Sequence, residues 1–222
     1  MSKHVVNLQP ALQATVDRLI HSFQEIGAPR KAVLEQLANF VEQMVEGNSN
    51  AVLNFICTHN SRRSIISQVW GQVAAYYYNV QPVRCISGGT EATRVSPAAI
   101  KALQSAGFGV MSSGSGPNPI YEIGYASGAP AIQAFSKTYD DAINEAVEFA
   151  AIMTCADADE KCPYIPGALV RIPLRYDDPK KADGTPQEHE AYLKTVMQVG
   201  RELLYAFSLI KLSRMTESSV SN

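Results

Sequence analysis

The sequence predicts a three-layer α/β fold with a four-stranded parallel sheet, preceded by a helical hairpin. Three observations predict it. Short apolar runs of strand length stand at 52–56, 83–87, 149–154 and 169–172. Apolar positions spaced three and four apart follow the first two runs and the last, so strands and helices alternate as in a parallel sheet. Two further helical stripes precede the first strand. A chain of 222 residues, 46% hydrophobic and 18% charged, suits one globular domain with an appendage rather than a disordered segment. Its net charge of −2, with 19 Lys and Arg and no dense run, argues against nucleic-acid or polybasic membrane partners. No export leader and no long apolar run stands out, so a cytoplasmic location is expected, and the four cysteines are expected as thiols or redox groups.

In the appendage, 1–50, Leu12, Val16, Leu19, Ile20, Phe23 and Ile26 share one helical face, and Gly27-Ala28-Pro29 breaks it. Pro29 or Arg30 opens a second helix with a stripe of Val33, Leu34, Leu37, Phe40, Val41 and Met44, ended by Gly47-Asn48-Ser49-Asn50. Two such helices bury their stripes on the following domain or on a second copy, giving a homodimer. Neither carries a basic face.

The first strand runs into Cys57-Thr58-His59-Asn60-Ser61-Arg62-Arg63-Ser64, and Ile65, Ile66, Val69, Trp70 and Val73 then take helical spacing. The five residues between Cys57 and Arg63 are enough to wrap one tetrahedral oxyanion in backbone N–H groups at a helix N-terminus. A thiol among such dipoles and beside a guanidinium is favoured as thiolate, so the cup that binds an anion also makes a nucleophile. Arg63 suits two-point contact with oxyanion oxygens, Ser64 is placed to donate to the sulfur, and Asn60 to brace the loop from inside. Thr58 to Ser64, with His59 and Arg62 among them, are the candidate oxyanion-binding residues.

Cys57-x5-Arg63-Ser64 with Asn60 inside, after a strand and opening a helix, resembles the phosphate loop of the low-molecular-weight protein tyrosine phosphatase superfamily, which includes thioredoxin-coupled arsenate reductases. The segment Ser87-Gly88-Gly89-Thr90-Glu91 through Val95-Ser96-Pro97 resembles the family's second block, which would put Ser87 beside the loop in reach of Asn60. Ser96 as N-cap and Pro97 at the first position open the helix there. The third strand delivers Cys155, and Cys155-x6-Cys162-Pro163 with Asp157, Ala158, Asp159 and Pro166 resembles the redox segment of those reductases. Two cysteines so spaced bond only if the segment between them bends or unwinds. The spacing is not that of a zinc knuckle, so no metal is expected. After the fourth strand, Asp178-Pro179 matches the family's general acid, with Asp177 as the fallback. Lys180 and Lys181 stand where phosphotyrosine-directed relatives carry aromatic residues.

The remaining stretches fit around this site. Cys85 lies mid-strand among apolar residues as a core thiol. Between 107 and 134 a Gly/Ser/Pro-rich insertion holds Ile120-Tyr121-Glu122-Ile123, an edge strand or hairpin arm. Lys137 is read as solvated, with reach to the loop as the alternative. Leu193, Val196, Met197, Val199, Leu203, Leu204, Phe207 and Ile210 mark a long closing helix of the 51–212 domain, and 213–222 is a polar tail expected to be flexible.

The resemblance implies an arsenate reductase. Cys57 would attack arsenate held by the loop and Arg63 while Asp178 protonates the departing oxygen. Cys155 and then Cys162 would pass the resulting disulfide outward to a thioredoxin-like reductant, with no bound cofactor. The alternative is a tyrosine phosphatase or phosphomonoesterase, which needs neither Cys155 nor Cys162.

Overall fold

The structure, a computed structural model, describes residues 6–161 and 164–212; Cys162, Pro163 and the expected tail at 213–222 lie outside the described residues. Strands β1 (Ala51–Cys57), β2 (Val83–Gly89), β6 (Phe149–Met153) and β7 (Ala168–Ile172) form a four-stranded sheet in the order β2-β1-β6-β7. All three pairings are parallel, as the sequence predicts. β1 is central and buried at every position, which is why it reads as a continuous apolar run. Its single polar side chain, Asn54, donates to the Tyr139 carbonyl at 3.0 Å.

Helix α3 (Arg63–Tyr77) lies on β1 and β2, and α6 (Glu188–Ser208) packs against it. The opposite face is covered by α5 (Ala156–Lys161) and by apolar residues including Tyr139 and Ala146. Layers on both faces give the expected three-layer arrangement. The hairpin helices α1 (Pro10–Ile20) and α2 (Ala28–Glu46) bury Leu12, Val16, Leu19, Leu34, Leu37 and Val41 in the same core as α6. α2 also reaches β1 and β7. Its stripe is thus satisfied within the chain.

Three local expectations change. α1 stops at Ile20, before Phe23 and Ile26, because the Ser22 hydroxyl takes the Leu19 carbonyl at 2.8 Å and a 3-10 turn, Phe23–Glu25, follows. α4 (Pro97–Ser105) opens at Pro97, but Ser96 makes no side-chain cap and instead donates to the Tyr192 hydroxyl at 3.4 Å. The insertion is neither bare loop nor lone hairpin. β3 (Gly109–Ser113), β4 (Ile120–Gly124) and β5 (Ile132–Ala134) form a separate antiparallel sheet, so Ile120-Tyr121-Glu122-Ile123 is its central strand.

Gly200 sets the approach of α6 to its neighbours. A Cβ there would meet the Trp70 indole at 2.6 Å and Leu19 Cδ1 at 2.9 Å. Alanine gains helix propensity of about 1 kcal/mol, yet overpacking a crossing this tight costs about 1–3 kcal/mol. Gly200→Ala is therefore expected to lower stability by about 1 kcal/mol, read as a lower urea midpoint at unchanged slope.

Candidate active site

β1 ends at Cys57 and α3 begins at Arg63, so the loop between them is the expected strand-to-helix turn. Its carbonyls are held from behind. The Cys57 carbonyl accepts from Thr90 N at 3.0 Å, that of Thr58 from Glu91 N at 2.8 Å, and that of Ser61 from Ser96 N at 2.9 Å. The His59 carbonyl accepts the hydroxyls of Ser136 at 2.9 Å and Thr93 at 3.2 Å. With the carbonyls taken by these partners, the N–H groups of residues 58–62 make no backbone hydrogen bond among the described residues, an arrangement able to take up an anion.

Asn60 supports the turn from inside, at a left-handed φ of 43° that asparagine tolerates. Its amide donates to the carbonyls of Lys137 at 3.2 Å and Phe135 at 3.4 Å. Its oxygen accepts from Ser64 Oγ at 2.9 Å. Ser64 Oγ also lies 3.1 Å from Cys57 Sγ. A hydroxyl has one proton, so while Ser64 donates to Asn60 the thiol donates to Ser64; ionising the sulfur turns the Ser64 hydroxyl toward it.

The two arginines converge on one carboxylate. Arg63 Nη2 donates to Asp178 Oδ2 at 2.9 Å, and Arg62 Nε lies 3.0 Å from Oδ1. Arg63 Nη1 donates to the Tyr176 carbonyl at 3.2 Å, while its Nε is buried without a hydrogen-bond partner among the described residues. Asp178 also caps the 3-10 turn Pro179–Ala182 by accepting from Lys180 N at 3.1 Å. A cleft of about 520 Å³ opens beside them, lined by Arg63, Asp157, Arg175, Asp177, Asp178 and Lys181 among others. It has room for a small anion.

Cys155 follows β6, beside β1, so it leaves the sheet on the same rim as Cys57. It is fully buried, yet its sulfur is 3.5 Å from Thr58 Oγ1 and accepts from Ala158 N at 3.4 Å. Cys57 and Cys155 belong to one apolar cluster on the α5 side of the sheet. The buried Asp159 of α5 is clasped by Arg171 and Arg175. Cys85 is buried far from this rim, where burial alone raises its thiol pKa, in keeping with a core thiol.

Other expected positions fall differently. Ser87 does not bond Asn60. It pairs in register with Phe55, two residues short of the loop, and donates to Gln68 Oε1 at 2.6 Å. Gly89 is the β2 residue that touches the cup: a Cβ there would meet Asn60 N and the Thr58 carbonyl oxygen, both at 2.7 Å. His59 faces Glu91, its Nε2 at 3.7 Å from Oε2. Lys137 is buried at 5% exposure, not solvated, with its ammonium 4.4 Å from the centre of the Phe135 ring. Among the described residues no group of three or more His, Cys, Asp or Glu could hold a metal ion. No described helix is long and apolar enough to cross a membrane. Sequence reasoning missed Ser136, Thr93, Asn118 and Tyr176. Asn118 joins this frame from the insertion, its amide pairing with the Ser136 backbone at 2.8 and 3.1 Å.

No family model matches the chain. The arsenate reductase of Bacillus subtilis (strain 168) is 28% identical over 155 residues, covering 69% of this chain and 93% of that protein. That of Shouchella clausii (strain KSM-K16) is 29% identical over 140 residues, covering 63% and 82%. The chain is thus similar to curated bacterial arsenate reductases over about two thirds of its length. Among solved structures, the thioredoxin-dependent arsenate reductase of Corynebacterium glutamicum covers 90% of this chain and 97% of its own, at 17% identity and a TM-score of 0.39.

Burial lowers the Lys137 pKa to about 8 from its ordinary 10.5, and Asp141 offsets this only in part. The unfolded chain then binds that proton more readily, so stability rises with pH between about 8 and 10.5. Below that window the cost of the buried charge is fully present. Lys137→Met is expected to raise stability at neutral pH by about 2 kcal/mol, with the gain gone above about pH 10.5, in urea titrations at the two pH values.

Proposed function

We propose that the protein reduces arsenate to arsenite through a relay of three cysteines. The kinship with arsenate reductases supports the substrate. The observation that carries the relay is the Cys155 sulfur, held 3.5 Å from Thr58 Oγ1 at the wall of the cup. Arsenate enters the concavity of N–H groups and takes Arg63 from Asp178. Cys57 gives up its thiol proton and attacks arsenic, and that proton, relayed by the Asp178 carboxylate, joins an arsenate hydroxyl, which leaves as water. Cys155 then attacks the Cys57 sulfur. The electron pair of the sulfur–arsenic bond stays on arsenic, which departs as arsenite and leaves a Cys57–Cys155 disulfide. Cys162 exchanges onto Cys155 and frees Cys57, and an external dithiol of the thioredoxin type reduces the Cys155–Cys162 bond.

Seven residues of helix would span about 10 Å, beyond the Cα separation of about 4.4–6.8 Å that a disulfide allows. Forming the Cys155–Cys162 bond therefore requires the six-residue α5 to unwind. The second reading is phosphomonoester hydrolysis through a phosphocysteine, which the geometry of Cys57, Arg63 and Asp178 also suits. Lysine at 180 and 181, in place of rings that would flank an aryl ester, favours the inorganic anion.

Two assays separate the readings: thioredoxin-coupled arsenate reduction and aryl phosphate hydrolysis. Cys57→Ser is expected to abolish both, each by about a thousandfold or more. Cys155→Ser and Cys162→Ser are expected to abolish reduction and leave hydrolysis within about threefold of wild type. No arsenate reduction by the wild-type protein with a thioredoxin system would reject the relay.

A further inference from the structure

We infer that Arg30, in the N-terminal hairpin, is a positioning residue for the oxyanion cup, acting through Tyr176 on Arg63 and Asp178. The inference rests on the reading of Arg63 and Asp178 as site residues. Tyr176 joins three parts of the site by its backbone alone. Its N–H donates to the Thr154 carbonyl at 3.1 Å, next to Cys155. Its carbonyl accepts from Arg63 Nη1 at 3.2 Å, and Asp178 follows two residues later. Wherever Tyr176 sits, the cup arginine and the acid loop follow.

The ring of Tyr176 is buried, and the hairpin holds it. The Arg30 guanidinium carbon lies 4.6 Å from the ring centre, while Nη2 is 2.8 Å and Nε 2.9 Å from Glu202 Oε2 on α6. Glu202 is 5% exposed, and its other oxygen accepts from Gln198 at 3.2 Å. Arg30 stands in the first turn of α2, whose Leu34, Leu37 and Val41 are fixed in the core. An ion pair whose carboxylate is buried and whose guanidinium is largely withdrawn from water is a poor device for stability alone, since an apolar pair of similar volume serves about as well. A planar guanidinium that stacks on a ring while bonding a carboxylate fixes an orientation, and lysine cannot do both. The appended hairpin therefore completes the wall of the site.

The test uses the full-length chain with inorganic phosphate as the binding probe, titrated by calorimetry, and phenyl phosphate as the kinetic probe. Arg30→Met is expected to weaken phosphate binding about fivefold and to lower kcat about tenfold. Arg30→Lys, which keeps the charge without the plane, is expected to fall in the same direction. In an Asp178→Asn background the loss of kcat is expected to shrink, because only the part carried by Arg63 is left. A folded Arg30→Met with wild-type phosphate affinity and kcat overturns the inference, as does an undiminished loss in the Asp178→Asn background. Should Arg30→Met fail to fold by circular dichroism, Arg30→Lys and Glu202→Gln carry the same expectations. Absence of phosphate binding by the wild-type protein would overturn the site assignment, and this inference with it, and is distinct from a variant that binds normally.

Discussion

A loop binds an oxyanion with its backbone only if its own carbonyls are kept from turning inward, and this constraint shapes the centre of the protein. Each peptide unit carries a donor and an acceptor pointing in opposite directions. The carbonyls of Cys57, Thr58, His59 and Ser61 are taken by residues between Thr90 and Ser96 and by Ser136, which leaves the N–H groups facing the cup. Asn60 then closes the arrangement from inside by bonding Ser64 on one side and the 135–137 backbone on the other. The insertion participates through Asn118, which holds Ser136. Its strands pack on the core around Ile123 and Ile132.

The parts legible in the sequence were those set by local periodicity and turn chemistry. β1, α3, β2, β6, β7 and α6 came within a few residues of their bounds because each buries an apolar run or stripe whose period is written in adjacent residues. The cup was legible for the same reason: Cys57 to Ser64 is one contiguous turn. What failed depended on partners distant in the chain. Nothing near Ser87 indicates that its register with Phe55 leaves it facing Gln68 instead of Asn60. Lys137 lies in a polar-looking stretch, and only the fold reveals that its backbone serves the loop and its side chain lies over Phe135. The insertion, rich in glycine and proline, conceals a three-stranded sheet because its strands are short and pair only with each other.

Under the proposed relay, the surroundings of Cys155 would keep its sulfur quiet until needed. Cys155 sits at the start of α5 with its sulfur accepting from Ala158 N, a contact of the kind that caps a helix. Asp159, clasped by Arg171 and Arg175, ties the same short helix to β7 and the strand's exit. A six-residue helix has few hydrogen bonds of its own, so these side-chain ties supply much of what holds it. In the proposed relay, drawing the Cys155 sulfur into a disulfide would pull it from Ala158 N and loosen one tie of the segment that has to unwind.

Asp178 presents a related economy in the cup. Two guanidiniums side by side in a partly buried turn repel each other, and Asp178 answers both, Oδ1 to Arg62 and Oδ2 chiefly to Arg63. An oxyanion bound there would have to displace it from Arg63, whose Nε has no hydrogen-bond partner among the described residues. Under the proposed function the carboxylate would then remain beside Arg62, near the departing oxygen and placed to relay a proton to it. Only an anion that offers Arg63 at least as much as a carboxylate does can make the exchange. A tetrahedral dianion meets that demand through both its charge and its matching oxygen geometry, whereas neutral or singly charged solutes leave the internal pair intact.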